Sequence, residues 1–189
     1  MSTEIILSIA LGVGLAAAVG FRIFLPLLVA SVAAYTGHLE LSPGFAWLGT
    51  LPALVMLGVA AILEIAAYYI PGVDNLLDLV ATPAAFIAGT IVAAAVMVDL
   101  PPMVKWAAAI IAGGGAAGLM QSVTTLLRAK STALTGGLGN PVIASAEWGG
   151  ALLVSLLALL APVLALALIV VFCWLVARSL RQAFQKKSA

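Results

Sequence analysis

Between Ile5 and Tyr35 the chain carries a single charged residue, Arg22, with Pro26 one helical turn later. An apolar run of about 18 residues or more reads as a transmembrane helix, because roughly 20 residues rising 1.5 Å each cross the hydrocarbon core. The block from about residue 5 to 36 is longer than that. As one helix it would measure roughly 48 Å, so it either tilts strongly or breaks near Gly20–Pro26. Four further apolar runs, at about 48–70, 76–98, 103–128 and 149–177, bring the expected number of spans to five.

Composition agrees. The chain is 65% hydrophobic and 8% charged, whereas soluble domains carry roughly a quarter charged residues. So few polar groups do not cover a soluble surface. A transmembrane β-barrel would alternate apolar and polar residues, and these runs do not. The expected fold is all-α: a polytopic transmembrane bundle forming one integral membrane domain over residues 1–189, in contact with the lipid bilayer.

Several functions are excluded or left without support. A net charge of +1 offers nothing to nucleic acid. The one cysteine, Cys173, forms no disulfide within the chain and no thiolate metal site. The one histidine, His38, stands near Glu40 without further metal ligands. The stretch "GGLGNP" lacks the lysine spacing of a phosphate loop. No nucleophile motif is visible, so no enzyme, metal or cofactor is expected. The start "MSTEIIL" has no basic n-region and reads as the beginning of the first span. The basic tail (Arg178, Arg181, Lys186, Lys187) predicts a cytoplasmic C-terminus. Five spans then put Lys105 on the same side and Arg128 and Lys130 on the other.

The ionisable groups inside the apolar runs carry the functional question. Each costs roughly 2.5–3.5 kcal/mol on insertion scales, so it pairs, faces the bundle interior or lines a pathway. Arg22 is either structural, capping carbonyls freed by Pro26 or pairing with an acid, or an anchor for an anion that suits its planar fork. Glu64 is its expected partner. Glu64 lies seven residues before Pro71 and Asp78 seven after it. In an antiparallel pair hinged at Pro71–Gly72 the two carboxylates reach similar depth and could share a proton or a cation. Alternatively Asp74 and Asp78 are an N-cap and a first-turn acid. Pro71 and Gly72 end the second span, and Asp74 and Asn75 complete the turn.

A second polar cluster holds Gln121, Ser122, Thr125 and Arg128. Residues 14–39 align without gaps to residues 113–138 with ten of 26 positions identical, including Thr36-Gly37 against Thr135-Gly136. Arg22 then matches Gln121. Three spans separate the two starts, which predicts an inverted internal repeat with halves of about 5–98 and 103–178, an arrangement typical of secondary transporters. The pairs Gly14/Ala18 and Gly114/Gly118 allow close helix approach, within the chain or in a homo-oligomer.

The stretches "GFRIFLPLL", "LEIAAYYIPGVDNLLDLVATPAAFIAG" and "RAKSTALTGGLGNPVIASAE", in that order, resemble the bacterial membrane proteins grouped as domain of unknown function 4126. That family often has a charged or polar dipeptide before its Ile-Pro pair, where Tyr68 and Tyr69 stand here. The resemblance implies a membrane architecture in a bacterial inner membrane and no activity. The expected function is a small secondary transporter or channel-like permease for a small ion or anionic solute. Arg22 and Glu64 form its central pair, Asp78 is its proton or cation carrier, and the Gln121–Thr125 face lines the second half. The rival expectation is a non-transporting structural or assembly protein of a larger complex.

Overall fold

A computed structural model of the chain describes residues 3–70, 73–98 and 100–187, without the side chains of 74, 75, 177 and 179–187. The described residues form eight α-helices: α1 (Thr3–Val19), α2 (Phe24–Tyr35), α3 (Leu51–Tyr68), α4 (Val73–Val96), α5 (Pro102–Ala108), α6 (Gly115–Thr135), α7 (Asn140–Leu160) and α8 (Pro162–Lys187). A 3-10 turn covers Pro43–Gly49, and a π-helical segment, Ala109–Gly114, joins α5 to α6 in one 34-residue helix. Four helices are long and apolar enough to cross a membrane: α3, α4, the α5–α6 helix and α7. Their outward faces are apolar, as at Ile62, Leu79, Ile111 and Leu153, all more than half exposed. Such a surface suits lipid and not water. The chain is an integral helical membrane protein.

The expected five spans are corrected at both ends. The first apolar block breaks at Gly20–Ile23, as its length required, but it does not then continue across the membrane. Gly12 packs on Ala93 and Met97 near the end of α4, while Gly20 packs on Ala117 and Met120 of α6. Further along α2, Gly58 of α3 faces Leu28, and Glu64 of α3 reaches Ile23 and Phe24. Thus α1 runs antiparallel to α4, and α2 runs antiparallel to α3. The two arms form a helical hairpin whose tip, Gly20–Ile23, is buried in the bundle. At roughly 25 Å and 18 Å the arms are short for independent spans. The expected last span of 149–177 is also two helices. α7 starts earlier, at Asn140, and ends where Ala161 leaves helical geometry before Pro162. Ala158 and Ala165 both approach Gly14, within 2.8 and 3.5 Å of an added Cβ, so α8 leaves α7 at a sharp angle.

Small residues bring α1, α4 and α6 together at the centre. A Cβ on Gly89 would lie 2.4 Å from that of Ala117, and one on Gly113 would lie 2.5 Å from that of Ala93. Gly14 serves α7 and α8, and Gly114 meets Thr90 and Phe86 of α4. The two expected small-residue pairs therefore act in packing within the chain. The opposite end of the bundle from the hairpin tip is tied by polar bonds. Ser42 donates its backbone N–H to Ala95 O (2.8 Å) and accepts from Lys105 Nζ (2.6 Å), while Ser31 donates to Leu48 O (2.7 Å).

The expected internal repeat is not shown. Residues 14–39 are the end of α1, the tip and all of α2, whereas residues 113–138 are one continuous helix and its cap. The shared Thr-Gly pairs have a local explanation. Gly37 (φ 75°) and Gly136 (φ 63°) are the left-handed residues that stop α2 and α6, and a common stop signal needs no common ancestry. Pro71 and Gly72 fall outside the described residues. Asp74 and Asn75 lie in the first turn of α4, with side chains outside the description. The same holds for Arg181, Lys186 and Lys187 of the tail.

Candidate functional site

The buried charges gather near the end of the bundle where the hairpin tip lies. Asp78 is five residues into α4, Glu147 seven into α7, and Arg128 seven before the end of α6. All three thus lie roughly 8–10 Å in from the helix ends. Arg22 reaches the same place from the hairpin tip.

Glu147 is the hub. Its carboxylate forms an ion pair with Arg22 Nη2 (3.0 Å) and accepts hydrogen bonds from Arg128 Nε (3.2 Å) and, at close range, from Arg128 Nη2. Arg128 Nη1 meets Asp78 Oδ1 at 2.9 Å. Arg22 Nη2 also donates to Ala144 O (3.3 Å). Arg22 and Arg128 are each 2% exposed and Glu147 4%, so the network is almost wholly out of solvent. Among the described residues two guanidiniums and two carboxylates make it formally neutral, which is what a low-dielectric interior requires of charges it retains.

Tyr68, the last residue of α3, stands between the arginines. The Arg22 guanidinium carbon lies 3.8 Å from its ring centroid and that of Arg128 4.1 Å. Its hydroxyl donates a long bond of 3.5 Å to Asp78 Oδ1. Each desolvated cation over an aromatic face contributes about 2 kcal/mol. Tyr68→Leu should therefore lower stability by about 2 kcal/mol or more, whereas Tyr68→Phe, which keeps the ring, should stay within about 1.5 kcal/mol of wild type. Unfolding midpoints in one lipid or detergent would check the order, and equal loss in both variants would exclude the ring as the cause.

The expected Arg22–Glu64 ion pair is not formed. Glu64 instead accepts two backbone N–H groups at the start of α2, from Ile23 to Oε1 (2.9 Å) and from Phe24 to Oε2 (3.1 Å). The first N–H groups of a helix have no partner within it, and α2 has no side-chain cap of its own. A carboxylate from the neighbouring helix fills that role, favoured also by the helix dipole. Asp78, the other carboxylate of the expected pair, meets Arg128 and Tyr68.

The expected polar face of α6 divides. Gln121 is buried beside Gly20 and donates to Thr125 Oγ1 (3.2 Å). Thr124 donates back to Gln121 O (3.0 Å). Ser122 is exposed on the outer side, donates to Gly118 O (2.7 Å) and lines a shallow groove with Pro83 and Phe86. Gln121 and Ser122 thus stand in different surroundings, one buried and one at the outer groove. Arg128, one of the expected pathway residues, sits at the centre of the network.

Glu147 is not among the expected site residues, because it falls between the expected spans of about 103–128 and 149–177, in a stretch rich in Ser, Thr, Gly and Pro. A signal for it was present. Asn140, Ala144, Glu147, Ala151, Ser155 and Ala158 recur every three or four residues, the period of one helix face, and all six are buried on α7.

Beside the network lies a cavity of about 520 Å³ between the start of α2, α3 and α4. Ala60, Ala67, Leu77 and Ala81 make it apolar, and Glu64 and Tyr68 are its polar residues. Leu63 and Val80 on its rim are exposed, so it opens on the flank between α3 and α4. Arg22 Nε and Nη1 are buried and have no hydrogen-bond partner among the described residues.

No curated protein and no solved structure matches the chain. The family model described as domain of unknown function (DUF4126) matches residues 9–182. With all but the two ends of the chain covered, and with a helical membrane bundle carrying the three motif stretches, this protein belongs to the family of domain of unknown function 4126.

Proposed function

We propose that the protein is a small membrane permease, a secondary transporter or channel-like pathway for a small ion or anionic solute, in which Arg22 is the anion-facing group. The observation that carries this reading is the state of Arg22. It is 2% exposed, and two of its nitrogens, Nε and Nη1, have no hydrogen-bond partner among the described residues. An unused buried donor costs about 1–3 kcal/mol, and two unpartnered nitrogens on one guanidinium suit an anion or water passing the hairpin tip. Helix ends meeting inside a bundle are where transporters hold ions, and the tip of the α1–α2 hairpin is such a place.

The neutral network favours a second reading, a non-transporting membrane protein that stabilises a larger assembly. Flux separates the two. In proteoliposomes, wild type should carry a small monovalent anion well above empty vesicles. Arg22→Ala should lose most of that flux, and Glu64→Gln should change it. Both proteins must first show the wild-type elution profile. Flux equal in all three would remove these residues from the pathway, and no flux across a panel of small anions and cations would favour the assembly reading.

A further inference from the structure

We infer that α8 is a docking surface for anionic phospholipids, on which Arg178 beside Trp174, with the basic residues that follow on the same helix, gathers acidic headgroups at the membrane face. This goes beyond the permease reading and does not depend on it, since it concerns the lipid-facing surface of the bundle and not its interior.

α8 has two faces. Ala165, Ile169 and Phe172 pack inward on the core, at the spacing of one helix face. Leu168, Val171 and Leu175 are half exposed on the outer side, where hydrocarbon suits them. That apolar outer face ends at Trp174 and Arg178, both exposed. A tryptophan beside a basic residue at the end of an apolar helix marks the level of the headgroups. From Arg178 to Lys187 the helix carries Arg178, Arg181, Lys186 and Lys187, and the sequence has no acid after Glu147. A chain of net charge +1 thus places four of its eight Lys and Arg residues in one short stretch. Arg178 shows why this charge faces outward. Arg22 and Arg128 are held by carboxylates, whereas Arg178 takes part in none of the ion pairs among the described residues. Its guanidinium carbon lies 5.3 Å from the Trp174 ring centroid. Attraction to a ring uses the cation's charge and leaves its N–H donors for oxygen acceptors. The planar fork of those donors matches two oxygens of one phosphate. A soluble acidic protein would also meet the charge. The bilayer is favoured because Trp174 and the apolar outer face place Arg178 where lipid phosphates are already concentrated, and juxtamembrane basic segments are attracted to anionic leaflets.

Brominated lipids, which quench tryptophan on contact, are the probe. Full-length protein is placed in phosphatidylcholine nanodiscs doped with either brominated phosphatidylglycerol or brominated phosphatidylcholine. The quenching of Trp174 is read as the difference between wild type and Trp174→Phe. Each cation near an anionic surface is worth roughly fivefold in association. Half-maximal quenching by phosphatidylglycerol should therefore come at a lipid fraction at least about fivefold below that for brominated phosphatidylcholine. At about 1 M salt, where charges are screened within about 3 Å, the two lipids should quench alike. Arg178→Gln should remove more of the preference than Lys187→Gln, because it stands beside the indole. Replacing Arg178, Arg181, Lys186 and Lys187 together by Gln should abolish it. Should that fourfold variant fail to fold, the salt titration of wild type and the two single variants carry the same decision. Equal quenching by both lipids in wild type at low salt, or a preference that survives the fourfold exchange or high salt, would overturn the inference. Equal losses in Arg178→Gln and Lys187→Gln would overturn the part given to Arg178. Soluble polyglutamate that binds the protein in phosphatidylcholine discs, and is not displaced by phosphatidylglycerol, would make the partner an acidic protein and overturn the lipid surface.

Discussion

Glu147→Ala should be the most destabilising charge substitution in the protein, costing about 3–5 kcal/mol. The carboxylate it removes joins both arginines to α7. Arg128 keeps Asp78, but among the described residues Arg22 keeps no carboxylate contact, only its place over Tyr68 and a bond of 3.3 Å to a carbonyl. A guanidinium cannot shed its proton to relieve this, and neither arginine has solvent to turn to. Glu147→Gln should cost less, since the amide oxygen still accepts. The neutrality of the network gives a sharper test. Arg22→Met removes one buried cation, so adding it to Glu147→Ala leaves Arg128 and Asp78 as a balanced pair. The double variant should therefore be more stable than the sum of the single effects requires, with a coupling of about 0.5–3 kcal/mol. Unfolding free energies in one lipid system would measure the cycle. Additive effects would mean that Arg22 and Glu147 stabilise the bundle separately, against the 3.0 Å contact between them.

The parts of this site that could be read in the sequence share a property. Arg22, Glu64, Asp78 and Arg128 are each conspicuous because a charge in an apolar run needs a reason. The break in the first block was likewise visible, because 32 residues are too many for one straight span. What stayed hidden depended on how helices pack. Arg22 and Glu64 looked like partners through charge and depth alone, yet the start of α2 needed an acceptor and took Glu64, leaving Arg22 to α7. Nothing local states that the chain reverses after Gly20. The reversal follows from small residues that let α1 approach α4 and α6, and from α2 pairing with α3. Glu147 was obscured by its surroundings. Thr132, Thr135, Gly136, Gly137 and Asn140 resemble a loop, although only 136–139 are one. The threonines back-bond or pair within the helix ends, as Thr135 does to Ser131 O and Thr132 does with Asn140.

The hairpin tip also predicts a large effect with no charge involved. Gly20→Val should destabilise the protein by about 3 kcal/mol, at the upper end of overpacking costs. A Cβ there would sit 2.4 Å from Met120 Cβ and 2.5 Å from the carbonyl oxygen of Ala117. A flexible side chain can move from such a contact, but the backbone of α6 cannot without shifting the helix that carries Arg128. Gly20→Ala should already cost more than 1 kcal/mol by the same contact. Gly149→Ala is the matched control. It lies inside α7, exposed, with nothing within 4 Å of an added Cβ. There the helix should gain about 0.5–1 kcal/mol from the loss of backbone freedom in the unfolded chain. Opposite signs for two glycine-to-alanine changes would locate the cost in the close approach of α1 to α6 and not in glycine itself. Arg22 follows Gly20 by two residues, so Gly20→Val should also loosen the Arg22–Glu147 contact. Combining Gly20→Val with Glu147→Ala should then cost less than the two separately. If the tip were free to open, Gly20→Val would be tolerated, and the buried hairpin would have to be abandoned as the frame that holds Arg22 in place.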